Sequence, residues 1–340
     1  MNLDEKKEKY LKLVQPIFPE LDIAGSFSMY SGDAPKSGKI TLGNESTAFK
    51  NKFKNSGDFI HYTSLESVLN ILNTKQLRLY NCQNLNDKLE VKYAVKEFGL
   101  QIPEDDLETF RQQLFVFSAS TYDINLKNDD FNLWRLYGNS GLGAAIVFGI
   151  ENFSDDWESL FFGKISYELD VNIYEDFKKF IKIHQDFNNE YALFENIPSI
   201  IPIIALHFKN KIWSIENEIR LIAHCPFDKY SLETIHYESG NSYLTNTIKH
   251  TLNRSGEKVA YVSLPLNLKE ERDRISKIIR EEEATNTFLK CIPHLKIKKI
   301  IIGHEVSAKS FVEVQSILHQ VISKELGYNI AIEYSSFRDK

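Results

Sequence analysis

A chain of 340 residues with 42% hydrophobic and 26% charged side chains has an ordinary globular composition, and its length suggests about two domains. Lys and Arg number 41 against 47 Asp and Glu; the net charge of −6 argues against a bulk electrostatic grip on nucleic acid or an anionic membrane, though not against a local basic groove. The three cysteines, Cys82, Cys225 and Cys291, are far apart with no C-x-x-C, which excludes a zinc site built on paired thiolates and fits a reducing cytoplasm.

The first ten residues, MNLDEKKEKY, lack the apolar stretch of a signal peptide. The longest apolar run, from Ile197 to Phe208, is interrupted by Pro198, Ser199, Pro202 and His207 and is too short to span a bilayer. A cytoplasmic protein without a membrane segment is expected.

Residues 4–14 read as a short amphipathic helix. Gly25 to Ser56 is rich in Gly, Ser, Asn and Lys and reads as a mobile surface loop, so 1–56 form an N-terminal helix and a flexible extension. Within it, Gly32 to Lys39 has the look of a phosphate loop, but the second Gly comes one residue late and Ile40 stands where Ser or Thr is required. Phe59–Tyr62 is predicted as a strand. Thr63 and Glu66 then form a T-x-x-E capping box for a helix through Asn73 that buries Leu65, Val68, Leu69 and Leu72.

A strand at Leu77–Tyr80 follows, then helices from about Asp87 to Phe98 and over Glu104–Gln113. Leu114–Ser118 reads as a strand, Phe131–Tyr137 as a helix ending at Gly138, and Ala144–Phe148 as a buried strand. Residues 170–210 read as two aromatic-rich helical stretches inserted into the domain. Further strands are predicted at 218–225, 234–237, 258–264 and 295–302, then a long helix over 308–326 and a last strand at 330–334. Strands and helices do not alternate regularly. The expected fold is α+β, with mixed or antiparallel split sheets and packed helices, in one domain over 57–335.

Four stretches carry candidate chemistry. His61-Tyr62-Thr63-Ser64 stands where a strand ends and a helix starts, so free backbone N–H groups there favour a polar ligand; a plain helix cap is the structural alternative. Asn84-Leu85-Asn86-Asp87, with Glu90, reads first as a cap. Trp134 and Tyr137 share a helical face, suited to stacking on a flat heterocycle or to core packing, and Gly138, Gly141 and Gly143 allow close approach of backbone. Glu216, Glu218 and Arg220 alternate at the start of a strand and are expected on one side, where Arg220 offsets the two carboxylates. His224 and Cys225 are strand neighbours and point apart.

The ordered series His61-Tyr62-Thr63, Leu85-Asn86-Asp87-x-x-Glu90, Phe115-x-x-Ser118, Trp134-x-x-Tyr137-Gly138, Gly141-x-Gly143 and Trp213-x-x-Glu216-x-Glu218-x-Arg220 resembles a bacterial family of unknown function, number 2971, over most of residues 57–335. The opening, together with Ile71-Leu72 and Leu77-Arg78, also resembles ADP-ribosyltransferase-like folds. Gly141-x-Gly143 is similar to a strand start of the poly-ADP-ribose polymerase branch, and Glu216-x-Glu218 to the E-x-E of arginine-directed transferases.

This second resemblance implies an ADP-ribosyltransferase-like core that uses NAD as substrate and needs no metal. It implies His61, with Tyr62 and Thr63, on the adenosine-side ribose, Tyr137 or Trp134 stacked on nicotinamide, Glu218 as the catalytic carboxylate and Glu216 as the upstream Glu acting on the acceptor. The Ser-Thr-Ser strand motif of those enzymes is absent, unless Ser118-Ala119-Ser120 stands in for it. The acceptor is left open between protein, nucleic acid and a small molecule, in a bacterial toxin or phage-defence role. The alternatives are a nucleotide-binding or signal-sensing module without turnover, and an interaction protein whose aromatic helices at 170–210 cover a partner.

Overall fold

The computed structural model describes residues 1–31, 34–43, 45–53, 57–84, 90–100, 102–125, 129–152, 157, 160–167, 171–192, 204–225, 248–253, 255–279, 289–290 and 292–338. In chain order these form α1 (Leu3–Val14), β1 (Asp22–Ser31), β2 (Ala34–Gly43), α2 (Glu45–Phe53), β3 (Asp58–Thr63), α3 (Leu65–Thr74), β4 (Gln76–Asn81), α4 (Glu90–Glu97) and α5 (Glu104–Gln113). There follow β5 (Leu114–Tyr122), α6 (Phe131–Leu136), β6 (Ala144–Ile150), β7 (Leu160–Lys164), β8 (Ser166–Tyr167), α7 (Val171–Tyr191), β9 (Phe208–Lys209) and β10 (Glu218–His224). The chain closes with β11 (Lys249–Leu252), β12 (Lys258–Pro265), α8 (Leu268–Ile279), β13 (Leu295–Ile302), α9 (Ala308–Glu325) and β14 (Ala331–Tyr334). Among the described residues no helix is long and apolar enough to cross a membrane.

These elements fall into two compact units. The first comprises Met1–Lys54, Leu85–Gln112 and Phe162–Ser214; the second comprises Asn55–Asn84, Gln113–Phe161 and Ile215–Lys340.

In the first unit, Asn2 and Glu5 cap α1 reciprocally, each side chain accepting from the other's backbone N–H. The stretch expected as a mobile loop instead holds an antiparallel hairpin, β1 on β2, running from Asp22 opposite Gly43 to Ser31 opposite Ala34, followed by α2. Its many Gly and Ser residues suggested a loop, but the ladder satisfies the backbone polar groups regardless of side-chain type. Gly32 and Asp33 lie outside the described residues.

α7 is a single helix of 21 residues, and 193–203, where a second helical stretch was expected, lie outside the described residues. Its buried Phe177, Phe180, Ile181, His184 and Phe187 follow helical spacing. They meet Phe18, Phe49, Phe53 and Phe208 in a largely aromatic core; Phe18 and Phe49 lie edge-on at 4.8 Å and Phe53 stacks on Phe177 at 5.3 Å. Each such pair contributes about 0.5–1.5 kcal/mol beyond its area. Much of the Phe excess in the composition is placed here.

The second unit is built on one large sheet in the order β11-β12-β4-β5-β3-β6-β13-β14, antiparallel throughout except for the parallel pair β13–β14. The chain is thus α+β, with a large, mostly antiparallel sheet, small sheets and packed helices. One edge of β5 is covered by β10, from Glu218 opposite Ser120 to His224 opposite Leu114. The other edge is shared: β4 pairs at Phe115 and Val116, and β3 pairs from Ser120 to Tyr122. The sheet therefore splits along the middle of β5.

Helix boundaries follow local chemistry. α3 is capped by Ser64, whose hydroxyl accepts from the Ser67 N–H at 3.1 Å; Thr63 is the last residue of β3, so the expected Thr63–Glu66 box sits one residue too early. The left-handed Lys75, φ 52°, ends the helix. The described part of the next helix starts at Glu90; Asn86 and Asp87, expected as its cap, lie outside the described residues, as does the strand expected at 234–237.

Candidate functional site

The start of β10 is shaped by one residue. Lys211–Glu216 forms a 3-10 turn, and Asn217 follows in a left-handed conformation, φ 42°. Asn217 is fastened to β5: its carbonyl accepts from the Thr121 N–H at 3.0 Å and its side-chain amide donates to the Thr121 hydroxyl. Strand alternation therefore begins at Glu218, and Glu216 lies outside it. The expectation that Glu216, Glu218 and Arg220 all face one side holds for the last two alone. Trp213, at the front of this turn, is half-buried in the first unit with the Lys209 ammonium over its ring.

Glu218 and Arg220, two apart on the strand, share a face with Ser120 and Ser118, which stand opposite them on β5. Arg220 Nε donates to one oxygen of Glu218 at 2.6 Å and an Nη to the other at 3.1 Å. The pair is 4% and 1% exposed respectively. Desolvating two such charges costs several kcal/mol each, roughly balanced only by this two-pronged geometry. A buried charged pair of this kind is weak evidence for stability.

His61 is separated from that pair. Ile60 stands opposite Ser120 on β3, so Ile60 and Tyr62 share the face of Glu218, while His61 turns to the opposite face with Phe59. There its ring lies 4.7 Å from that of Phe117. Its Nδ1 reaches the Ser118 carbonyl at 3.2 Å, in the split between β3 and β4. A carbonyl can only accept, so Nδ1 carries the proton. His61 thus satisfies a carbonyl that the sheet ladder leaves at the split. Burial pushes its pKa down to about 4, the Ser118 bond opposing this. Burial does the same to His224, also to about 4.

The Trp-x-x-Tyr-Gly stretch divides between inside and outside. Trp134 is 0% exposed and packs edge-on to Tyr62 at 5.0 Å, in a cluster with Ile60, Tyr122, Leu133, Ala145, Val147 and Ile301. It presents no open ring face for a heterocycle. Gly138 is required by it, since a Cβ there would meet the indole at 2.3 Å. Tyr137, at the C-terminal cap of α6, is 43% exposed and its phenol donates to the buried Glu216 carboxylate. Tyr62 is used internally: its phenol oxygen accepts the Asp130 N–H at 2.8 Å, and burial raises its pKa.

The next glycines serve backbone packing. Gly141, φ +85°, follows two other left-handed residues, Asn139 and Ser140. Its carbonyl oxygen would lie 2.0 Å from a Cβ on Gly303, and Gly143 is pressed against the Thr63 carbonyl in the same way at 2.2 Å. The Gly303 N–H donates to Gly143 O and the Glu305 N–H to Gly141 O, both at 3.0 Å.

Asp129 is not among the expected site residues. This buried carboxylate accepts from Trp134 Nε1 at 2.6 Å and from the Ser336 N–H and hydroxyl at 3.1 and 2.5 Å. Burial works to raise its pKa, yet the hydrogen bonds from Ser335, Ser336 and Trp134 hold it below the usual carboxylate value. The Asp129-Asp130 doublet before Phe131 was a visible cap signal, and Asp130 is the cap of α6. Nothing local says that its neighbour is turned inward.

Of the expected site residues, the structure joins Tyr137 to Glu216 and puts Glu218 on the face of Tyr62 and Ile60. Thr63 closes β3, Trp134 is absorbed by the core, and His61 is placed on the far face. Among the described residues no group of three or more His, Cys, Asp or Glu side chains is placed to hold a metal ion. The described arrangement offers two buried carboxylates two residues apart, one bonded to the half-exposed Tyr137 phenol and the other to Arg220.

Residues 133–221 match the family model described as Protein of unknown function (DUF2971). The match runs from the residue before Trp134 to the residue after Arg220, and so contains both the Trp-x-x-Tyr-Gly and the Glu-x-Glu-x-Arg stretches that meet at Tyr137 and Glu216. No curated protein and no solved structure matches the chain.

Proposed function

We propose that the second unit is an ADP-ribosyltransferase-like enzyme that acts on NAD at the Glu216–Glu218 end of β10. The observation that carries this reading is the burial of two carboxylates at one strand start, one fixed by Arg220 and the other bonded to the half-exposed Tyr137.

Breaking the nicotinamide–ribose bond sends its electron pair to the nicotinamide nitrogen and leaves an oxocarbenium-like ribose. A fixed carboxylate stabilises that charge far better in a water-poor site than in bulk water. Glu218 takes this role. Glu216 receives the proton of the attacking acceptor, and Tyr137 supplies the open ring beside it. His61 and Trp134 have no part in the reading, because one faces the other side of the sheet and the other is enclosed. The split along β5 is compatible with a split-sheet transferase core. A protein or nucleic-acid acceptor, a reducing cytoplasmic compartment and a toxin or phage-defence role belong to the same proposal.

One observation favours a second reading. Arg220 engages both oxygens of Glu218, which suits a nucleotide-binding or signal-sensing module without turnover. The test is nicotinamide release from NAD by the full chain, with candidate protein and nucleic-acid acceptors, beside calorimetric NAD titration. Release that disappears in Glu218→Gln supports the enzyme. Saturable binding without release, unaltered by Glu218→Gln, selects the binding module. Neither binding nor release overturns both.

A further inference from the structure

We propose that Asp129 is a positioning residue that couples the C-terminal turn, residues 336–338, to the Tyr137–Glu216 contact. Three sets of bonds converge on the Asp129-Asp130 doublet. Asp129 takes the indole N–H of Trp134 and both the backbone and hydroxyl donors of Ser336. Asp130 accepts from the N–H groups of Asn132 and Leu133 at the start of α6, and its own N–H donates to Tyr62 on β3. α6 is six residues long, so its start and its Tyr137 cap are held in one short, stiff piece. Trp134, midway, is the residue by which Asp129 grips that piece.

The C-terminal turn adds its own hold on the same helix. Phe337 packs against the Trp134 cluster, 5.5 Å from the ring of Phe131. The Ser335 N–H donates to the Ile302 carbonyl at 2.8 Å, just before Gly303 meets the turn that follows α6. The last described residues of the chain are therefore a support for a contact formed by residues 137 and 216. Asp129 acts on this contact through α6.

The inference deepens the functional reading in treating Tyr137–Glu216 as part of a site, but the coupling is measurable without any ligand. The experiment is the 19F resonance of 3-fluorotyrosine placed at position 137 in the full chain. Glu216→Gln sets the resonance of the weakened contact. Asp129→Asn is expected to shift the signal toward that position, and the milder Ser336→Ala to shift it the same way by less. Gly256→Ala strains a left-handed position between β11 and β12, at the other edge of the sheet from β13 and β14, and is expected to leave the signal in place while lowering the melting temperature. A signal unmoved by Asp129→Asn and Ser336→Ala but moved by Glu216→Gln overturns the coupling. So does equal movement in Gly256→Ala, which would mark a general response to lost stability. Should Asp129→Asn not fold, Ser336→Ala decides alone. Absence of NAD binding and nicotinamide release alongside the expected shifts would sink the functional reading and leave the coupling standing.

Discussion

His61 and Glu218 stand on opposite faces of one sheet, because Ile60 and Glu218 both oppose Ser120 on β5 and His61 is one residue further along the pleat. A ligand lying on one face cannot be held by both side chains. The residues that share the Glu218 face, Arg220, Ser118 and Ser120, are the ones to vary first in any search for binding.

Arg220→Ala is expected to destabilise the protein by about 3–5 kcal/mol, because it leaves the Glu218 carboxylate buried without its guanidinium. Replacing both, as Glu218→Leu with Arg220→Met, should recover most of that loss. Denaturant unfolding of the two variants checks this; a single variant within about 0.5 kcal/mol of wild type would show that water reaches the pair.

Tyr137→Phe removes only the phenol that donates to Glu216. The expected loss is about 1.5 kcal/mol, the low end for a hydrogen bond to a charged group, because Tyr137 is half exposed. Trp134→Phe, three residues away, should cost more, since it removes the donor to Asp129 and leaves a cavity. Thermal melts of both variants rank them, and the reverse order would contradict the inside-and-outside division of α6.

Gly303→Ala is expected to be far more damaging than Gly256→Ala. Gly256 needs its left-handed backbone but has open space around it, so alanine there costs about 1–2 kcal/mol. A Cβ on Gly303 would sit 2.0 Å from the backbone oxygen of Gly141, which cannot swing away as a side chain would. A loss of about 3 kcal/mol or more follows. Equal melting temperatures for the two variants would show that the Gly141 turn yields.

Stability is expected to rise between pH 4 and 6.5. His61 and His224 are held to about 4 in the folded chain against an ordinary value of 6.5, so over this window the unfolded chain binds more protons. Their contribution is complete above 6.5 and is lost as pH falls toward 4. Asp129, lowered by its hydrogen bonds, acts in the same sense: its contribution is present above the ordinary carboxylate value and lost as pH falls through its folded value. Urea midpoints from pH 6.5 down through the carboxylate range, with His61→Gln and Asp129→Asn as comparisons, measure both. A flat profile would mean that neither imidazole is desolvated.

Much of the fold was legible where a strong local pattern coincides with an element. Glu104–Gln113 and Leu295–Ile302 begin and end where hydrophobic spacing placed them, and the mixed strand and helix order gave the α+β class. The hairpin over 22–43 was hidden because its Gly and Ser residues carry a loop signature, while a ladder is decided by pairing. In the candidate site, the sequence identified Glu216, Glu218, Arg220 and Tyr137 as residues of interest. It did not place Glu216 off the strand, because that depends on the left-handed turn at Asn217, fixed by bonds to Thr121 on β5.

By itself, then, the sequence determined the helices and strands that carry a clear hydrophobic period, the absence of a C-x-x-C and the two stretches that carry unusual polar residues. Helical and strand periods are short-range properties and can be read from neighbours in the chain. Only the tertiary structure decided that His61 faces away from Glu218, that Trp134 turns in while Tyr137 turns out, and that residue 129 answers to residue 336. Each of these depends on the register between strands, or on a buried partner, distant in sequence. A shift of one residue in such a register reverses every face, and no local pattern fixes it.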